Sequence, residues 1–364
     1  MISRVHPSVE AAHQGALWID QMGPITRRPA VTGDVDVDIA IVGGGFSGLW
    51  TAYYLAKADP TLRILLLEKH YCGFGASGRN GGWAVGDLAG SFESYAKVSS
   101  ASEALRQARA VFEAVDEIGR VAEAESIECD YAKGGWIRLA RTTPQAKRQR
   151  DEIAHERSNG FTEDEIRLLE PDEARRYLDG TGVRGGIYFA ATAALHPARL
   201  ARGLADVVER MGVTIAESTT VEGIEQAPAG PVVRTNVGSV KADVVVRATE
   251  AYTRDLAGER RTLLPIYSLM VATEPLPQSV FDDIGLADRP TFSDDRFMVI
   301  YGQRTADDRL AFGGRGVPYR FGSKIDRATE LHLPSHNLLR DTLTEMLPAI
   351  GDVQITHRWG GVLG

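Results

Sequence analysis

The sequence predicts a mixed α/β protein of two domains, and three observations carry that expectation. The chain has 364 residues, and at roughly 100–200 residues per domain that makes about two folding units. Between residues 38 and 68 a β-branched run, a glycine-rich turn, a helical stretch and a second apolar run follow one another. That succession is the pattern of a strand–helix–strand unit with parallel strands. Between residues 265 and 359, short strand-like runs alternate with Pro and Asp turns, the pattern of a second sheet built from hairpins.

Composition narrows the class. Lys and Arg number 41 against 49 Asp and Glu, a net charge of −8, and 43% of the residues are hydrophobic. Such a chain has ample apolar surface to bury and is globular rather than disordered. Its acidic balance disfavours non-specific nucleic-acid binding, which needs Lys and Arg against phosphates. No apolar run reaches the ~18 residues of a membrane span. The opening stretch MISRVHPSVEAAH lacks the apolar core of a secretory signal. Arg27 and Arg28 lie too deep, with no apolar run behind them, for a twin-arginine signal. Two cysteines, Cys72 and Cys129, make neither a disulfide framework nor a cysteine-rich zinc site. A reducing, cytoplasmic setting is the expectation.

The elements are expected in the following order. Residues 1–34 lack a sustained period and carry Pro24 and Pro29, so they are read as an arm lying over the body. Asp38–Val42 is a buried parallel strand, Leu49–Lys57 a helix stopped by Asp59-Pro60, and Leu62–Glu68 a second buried strand. The glycine-rich stretch 72–90 is expected to be irregular. Leu105, Ala108, Val111, Phe112, Val115, Ile118 and Val121 recur at steps of three and four and predict an amphipathic helix over 102–126. Trp136–Ala140 reads as a strand and the charged stretch 144–180 as helix, its 145–157 part a solvated face. Pro197 opens a helix that ends at Gly212. Strands are expected at 213–217, 231–236, 241–248, 265–274, 297–302, 310–314 and 353–359, with a helix at 334–347 before the last.

The chemistry is concentrated in the first unit. Gly43, Gly45 and Gly48, with Phe46 and Ser47 between them, fit the dinucleotide fingerprint G-x-G-x-x-G, and Glu68 follows Gly48 by 20 residues. Gly43 permits the tight turn, Gly45 lets a pyrophosphate approach the backbone, and Gly48 lets the helix pack closely on the sheet. The helix N-terminus offers bare N–H groups and partial positive charge to phosphates. Glu68 suits ribose hydroxyls and would repel a 2′-phosphate. This is the start of a Rossmann-type domain.

FAD and NAD both use that fingerprint, and a second motif separates them. Ile41–Gly48, Gly75–Gly82, Gly185–Tyr188, His196–Leu200, Gly212–Ile215, Ala242–Thr249, Ala272–Leu276, Arg309–Gly314 and His357–Gly361 occur in order. Together they resemble the D-amino-acid oxidase (DAO) superfamily of FAD-dependent oxidoreductases, in the branch of γ-glutamylputrescine oxidase-like amine oxidoreductases. A nicotinamide dehydrogenase is disfavoured by the Gly75–Gly82 loop.

The resemblance implies a discontinuous FAD domain, 35–90 plus about 197–262, and a mixed-sheet substrate or cap domain, 91–196 plus 263–360. It implies that Ser77, Arg79, Asn80 and Gly81 sit near the pyrophosphate and flavin. Val221 would pass its backbone by the adenine, and Thr249 would lie at the cofactor's edge. The implied reaction oxidises a carbon bearing the nitrogen of a small amine or amino acid. Hydride passes to flavin N5, and O2 reoxidises the flavin, giving an imine and H2O2. The alternatives are an amine dehydrogenase with a non-oxygen acceptor and an inactive, truncated flavin-binding protein. Family members usually have Gly or Asn where Glu250 stands and continue past the Trp-Gly motif, whereas this chain stops at Gly364. A missing C-terminal FAD-domain segment and weak FAD binding are therefore expected. Pocket candidates are Trp83, Tyr267, Met270, Arg296, Tyr301 and Trp359. Cys72 is read as a small buried residue rather than a flavin attachment point. His332 and His336, with Pro334 between them and no third ligand evident, are read as no metal site.

Overall fold

The computed structural model describes residues 5–228, 230–316 and 324–364. Sixteen strands are present among them. The first eight are β1 (Val35–Val42), β2 (Ile64–Leu67), β3 (Trp83–Val85), β4 (Trp136–Leu139), β5 (Ile166–Leu169), β6 (Gly186–Phe189), β7 (Thr192–Ala194) and β8 (Thr214–Ala216). The rest are β9 (Val221–Ala227), β10 (Gly230–Thr235), β11 (Gly238–Arg247), β12 (Ile266–Thr273), β13 (Thr291–Asp294), β14 (Ile300–Arg304), β15 (Leu310–Gly314) and β16 (Ile355–Leu363).

They make two large sheets. The first has the order β8-β2-β1-β11-β10-β9. Its β8, β2, β1 and β11 run parallel, and β9–β11 form an antiparallel meander. The helices Phe46–Ala58 and Pro197–Arg210 cover one face, burying Leu49, Ala52, Leu200, Leu204 and Val208 against Ile41 and Leu66. Central parallel strands are buried on both faces, which is why Ile64–Leu67 is apolar at every position. Val115, Val121 and Ala122 of the long helix Ala101–Ala124 belong to the same core.

The second sheet has the order β16-β12-β15-β14-β13-β4-β6-β5. One face packs on the helix Leu333–Met346 through Leu339, Leu343 and Met346, together with Phe281 and Ile284 of the helix Gln278–Ile284. Its other face, with Met270, Ala272, Ala311 and Trp359, meets Ala16, Leu17 and Trp18 of the N-terminal arm. The expected mixed α/β class is the class observed.

Tertiary pairing changed some local expectations. The stretch 72–90 is not wholly irregular: it holds one helical turn, Ala76–Arg79, and β3, which pairs with β7. The expected helix over 144–180 ends at Gly160 in a left-handed cap. Residues 166–169 then form β5, because β6 supplies its hydrogen-bond partners. The strand β13 lacks a local alternating signal and exists through pairing with β4 and β14.

Candidate cofactor cleft and active site

The strand β1 delivers the chain to Gly43, whose φ is +113°, a region that disfavours any residue with a Cβ. A Cβ there would also lie 2.3 Å from the Ala248 carbonyl oxygen. Gly48 is equally confined: its Cβ would lie 2.0 Å from the Gly43 oxygen. Gly45 caps the helix Phe46–Ala58 without a side chain. The Phe46 N–H donates to Ser77 Oγ at 2.9 Å. This contact ties the fingerprint to the glycine-rich loop 75–82. Glu68 accepts from the Gly44 N–H and the His70 N–H, each at 2.8 Å. Burial pushes its carboxyl up, and the two N–H groups oppose that shift.

These residues line one side of a cleft of about 770 Å³, within the range of roughly 300–1,000 Å³ usual for small-molecule sites. It opens at the carboxyl ends of β1, β2 and β11, where open α/β sheets bind ligands. Gly43, Gly45, Phe46, Ser47, Glu68, Ser77, Arg79, Val221 and Thr249 all line it. Gly48, Asn80 and Gly81 do not, and their roles lie in packing and loop shape. Tyr252, Lys324 and Glu330 are among the lining residues that carried no sequence expectation. Arg79 bonds two of them, with Nη1 at 3.1 Å from Glu330 Oε2 and Nη2 at 3.2 Å from the Tyr252 hydroxyl. Burial raises the pKa of both partners. At the cleft edge Glu250 has φ +46°, the left-handed region that favours Gly or Asn over a residue such as Glu.

The loop 75–82 is held from outside. Asn80 turns inward: its Nδ2 donates to the Ala76 and Ser77 carbonyls, and its Oδ1 accepts from the Gly82 N–H at 2.7 Å. The Trp359 and Trp18 indole N–H groups donate to the Arg79 and Asn80 carbonyls, each at 2.8 Å. Gln303 Nε2 donates to the Gly81 carbonyl at 2.7 Å and the Gly82 carbonyl at 3.0 Å. Neither Trp18 nor Gln303 carried a sequence signal, because their partners are 62 and more than 200 residues away.

A family profile described as FAD dependent oxidoreductase, abbreviated DAO, matches residues 38–364. The chain belongs to this family of FAD-dependent oxidoreductases. It is an oxidoreductase, and FAD is its cofactor. A probable oxidoreductase OrdL of Haemophilus influenzae is 27% identical over 356 residues, covering 96% of this chain and 78% of that protein. γ-Glutamylputrescine oxidoreductase of Escherichia coli is 28% identical over 329 residues, covering 90% and 74%. The glycine oxidase structure from Geobacillus kaustophilus superposes with a TM-score of 0.71 at 23% identity, covering 90% of this chain and 83% of that one. L-Proline dehydrogenase from P. horikoshii gives a TM-score of 0.70 at 20% identity, covering 91% and 82%.

In this DAO-family chain the six pocket candidates do not converge. Tyr301, Trp83 and Met270 share the inner side of the second sheet. The Tyr301 ring is 5.9 Å from Trp83, and its hydroxyl is 2.6 Å from Ser268 Oγ. A Cβ at Gly81 would lie 2.6 Å from the Tyr301 ring, and one at Gly313 would lie 2.1 Å from Met270 Sδ. Trp359 is on that side but serves the loop. Tyr267 instead accepts from the Asp326 N–H at 2.7 Å. Arg296 lines a separate cavity beside Leu269 and Leu339, with its guanidinium on buried Asp294 at 2.6 Å.

Cys72 is fully buried and outside the cleft lining, and burial pushes its thiol up. His332 and His336 do not pair as ligands. His336 Nε2 is 3.0 Å from the Trp359 carbonyl, and Nδ1 is 3.1 Å from the His332 carbonyl. No helix among the described residues is long and apolar enough to cross a membrane.

Proposed function

We propose that the enzyme oxidises the C–N bond of a small amine or amino acid and passes the electrons to O2, yielding an imine and H2O2. The observation that carries this reading is one cleft that joins the fingerprint turn to the Ser77–Arg79 loop. The residues fit FAD: Gly43, Gly45, Phe46 and Ser47 line the cleft at the start of the helix Phe46–Ala58, and Gly45 caps that helix without a side chain that could block a phosphate. Bound FAD supplies a two-electron acceptor for hydride from the carbon that bears nitrogen.

The chain's own groups have distinct tasks. The amides of Gly45 and Ser47 and the helix dipole hold the pyrophosphate, while the Phe46 amide is taken by Ser77 Oγ. Glu68 keeps lone pairs for ribose hydroxyls beyond its two backbone donors. Val221 and Thr249 flank the ends of the cofactor, and Arg79 places a cation beside Tyr252. Tyr301, Trp83 and Met270 form an apolar wall that excludes water from the substrate side. The amine class is supported by the names of the relatives, among them a γ-glutamylputrescine oxidoreductase and a sarcosine oxidase subunit. The two-domain division, 35–90 with 197–262 and 91–196 with 263–360, is kept as part of this reading. A cytoplasmic setting rests on two buried, unpaired cysteines.

The test is anaerobic bleaching of the flavin absorbance across a panel of primary amines, secondary amines and amino acids, followed by admission of air. Bleaching by one class and stoichiometric peroxide in air are expected. Absence of bleaching by every amine would overturn the reading. Reoxidation by a quinone but not by air would replace the oxidase with a dehydrogenase.

A further inference from the structure

We propose that His13, Asp20 and His357 form a divalent-metal site of the zinc class that fastens the N-terminal arm to β16. The three residues come from separate elements. His13 follows the helix Pro7–Ala11, Asp20 ends the helix Leu17–Asp20, and His357 lies in β16. Their ligand atoms all lie within 4.8 Å of one another.

The backbone sets this meeting, independently of side-chain rotamers. The His13 N–H donates to the Thr356 carbonyl at 2.9 Å, and the Arg358 N–H donates to the His13 carbonyl at 2.9 Å. His13 is thereby bracketed against the two neighbours of His357. Asp20 is fixed by the buried Leu17 and Trp18 of its own helix.

The donor set and spacing suit zinc. His357 Nε2 is 3.2 Å from Asp20 Oδ2. Two ligands at about 2.0–2.1 Å in a tetrahedron are about 3.3 Å apart. The other ring nitrogen, Nδ1, is 2.9 Å from Thr356 Oγ1, which also receives Arg309 Nη1 at 3.0 Å. A metal-binding imidazole is oriented by this kind of hydrogen bond on its far nitrogen. The Arg309 charge is met by Asp307 at 2.7 Å. His13 and Asp20 are exposed, which gives the metal an entry path and leaves a position for water.

The consequence reaches the cofactor. Trp18 stands two residues before Asp20 and holds the Asn80 carbonyl of the loop 75–82. A metal on the arm therefore stiffens the cofactor loop without touching it.

The experiment is calorimetric titration of chelator-treated holoenzyme with zinc chloride, paired with thermal melts. One saturable equivalent per chain and a zinc-dependent rise in Tm are expected. His13→Ala and Asp20→Asn alter exposed side chains. Both are expected to keep the flavin spectrum, bind zinc at least about tenfold more weakly and lose the Tm rise. The proposal is overturned if the wild type shows no saturable equivalent, or if either variant binds zinc as tightly as the wild type.

Discussion

Two glycine-rich segments meet at the cofactor cleft, and they are built on opposite principles. The fingerprint turn 43–48 is nearly self-sufficient: its acidic partner Glu68 stands 24 residues from Gly44, within one strand–helix–strand unit. The loop 75–82 takes its shape from afar. Trp18, Gln303 and Trp359, at separations of 62, 222 and 280 residues, grip its carbonyls. Residues of both line the same cleft. The first depends on local stereochemistry, and the second on the arm and the second sheet being in place. Substitutions in the turn should therefore act on cofactor binding directly, whereas substitutions at the loop anchors should act at a distance and more weakly.

Gly45→Val attacks the turn and carries the largest expected effect. A Cβ at this position already lies 2.9 Å from Ser77 Oγ, so the branched side chain fills the cradle. The variant should fold, by circular dichroism, and purify without flavin absorbance. Normal flavin content would reduce the fingerprint to a structural turn.

Glu68→Ala comes next. It removes an acceptor of charge-assisted hydrogen bonds, worth roughly 1.5–3 kcal/mol, and leaves the Gly44 and His70 N–H groups without it. FAD affinity, read by quenching of flavin fluorescence, should fall about ten- to a hundredfold. An unchanged affinity would detach Glu68 from the cofactor.

The loop's surroundings have a pH signature. His196 caps the helix Pro197–Arg210, packs its ring 5.1 Å from Trp18, and has its pKa lowered by burial to about 3. Above about 6.5 neither the folded nor the unfolded chain protonates it. As pH falls from 6.5 towards 3 the unfolded chain takes up a proton that the folded chain refuses, so stability declines. The loss is about 1.4 kcal/mol at pH 5.5. Urea unfolding at pH 7.5 and 5.5 measures it, and His196→Asn, which retains a capping group, should flatten the difference.

Trp18→Phe is the gentlest break. It keeps the ring and deletes one neutral hydrogen bond to the Asn80 carbonyl, about 0.5–1.5 kcal/mol. FAD affinity should weaken by about two- to tenfold with the fold intact. An effect as large as that of Gly45→Val would erase the distinction between the two segments.

Legibility followed the same division. The strand–turn–helix–strand unit, the amphipathic helix over 101–124, the Pro197 helix and most strands of the second sheet were readable, because each rests on periodicity or on Gly and Pro stereochemistry. β5 was read as helix because the charged run before it is helical and β6 alone makes it a strand. Tyr252 and Glu330 escaped notice because single Tyr and Glu residues carry no local mark of the Arg79 they face.

The sequence by itself determined the cofactor end of this protein. Gly43, Gly45 and Gly48 allow one backbone path, apolar runs on either side must be buried, and the motif order to His357–Gly361 points to one family. Tertiary structure alone decided what the second glycine-rich loop rests on, that Arg296 turns away from Tyr301, and that His13 and Asp20 meet His357. The physical reason is range. Backbone stereochemistry and hydrophobic periodicity act over a few residues and leave a trace in the string of letters. Hydrogen bonds and ion pairs between distant side chains depend on the packing of whole sheets, and leave none.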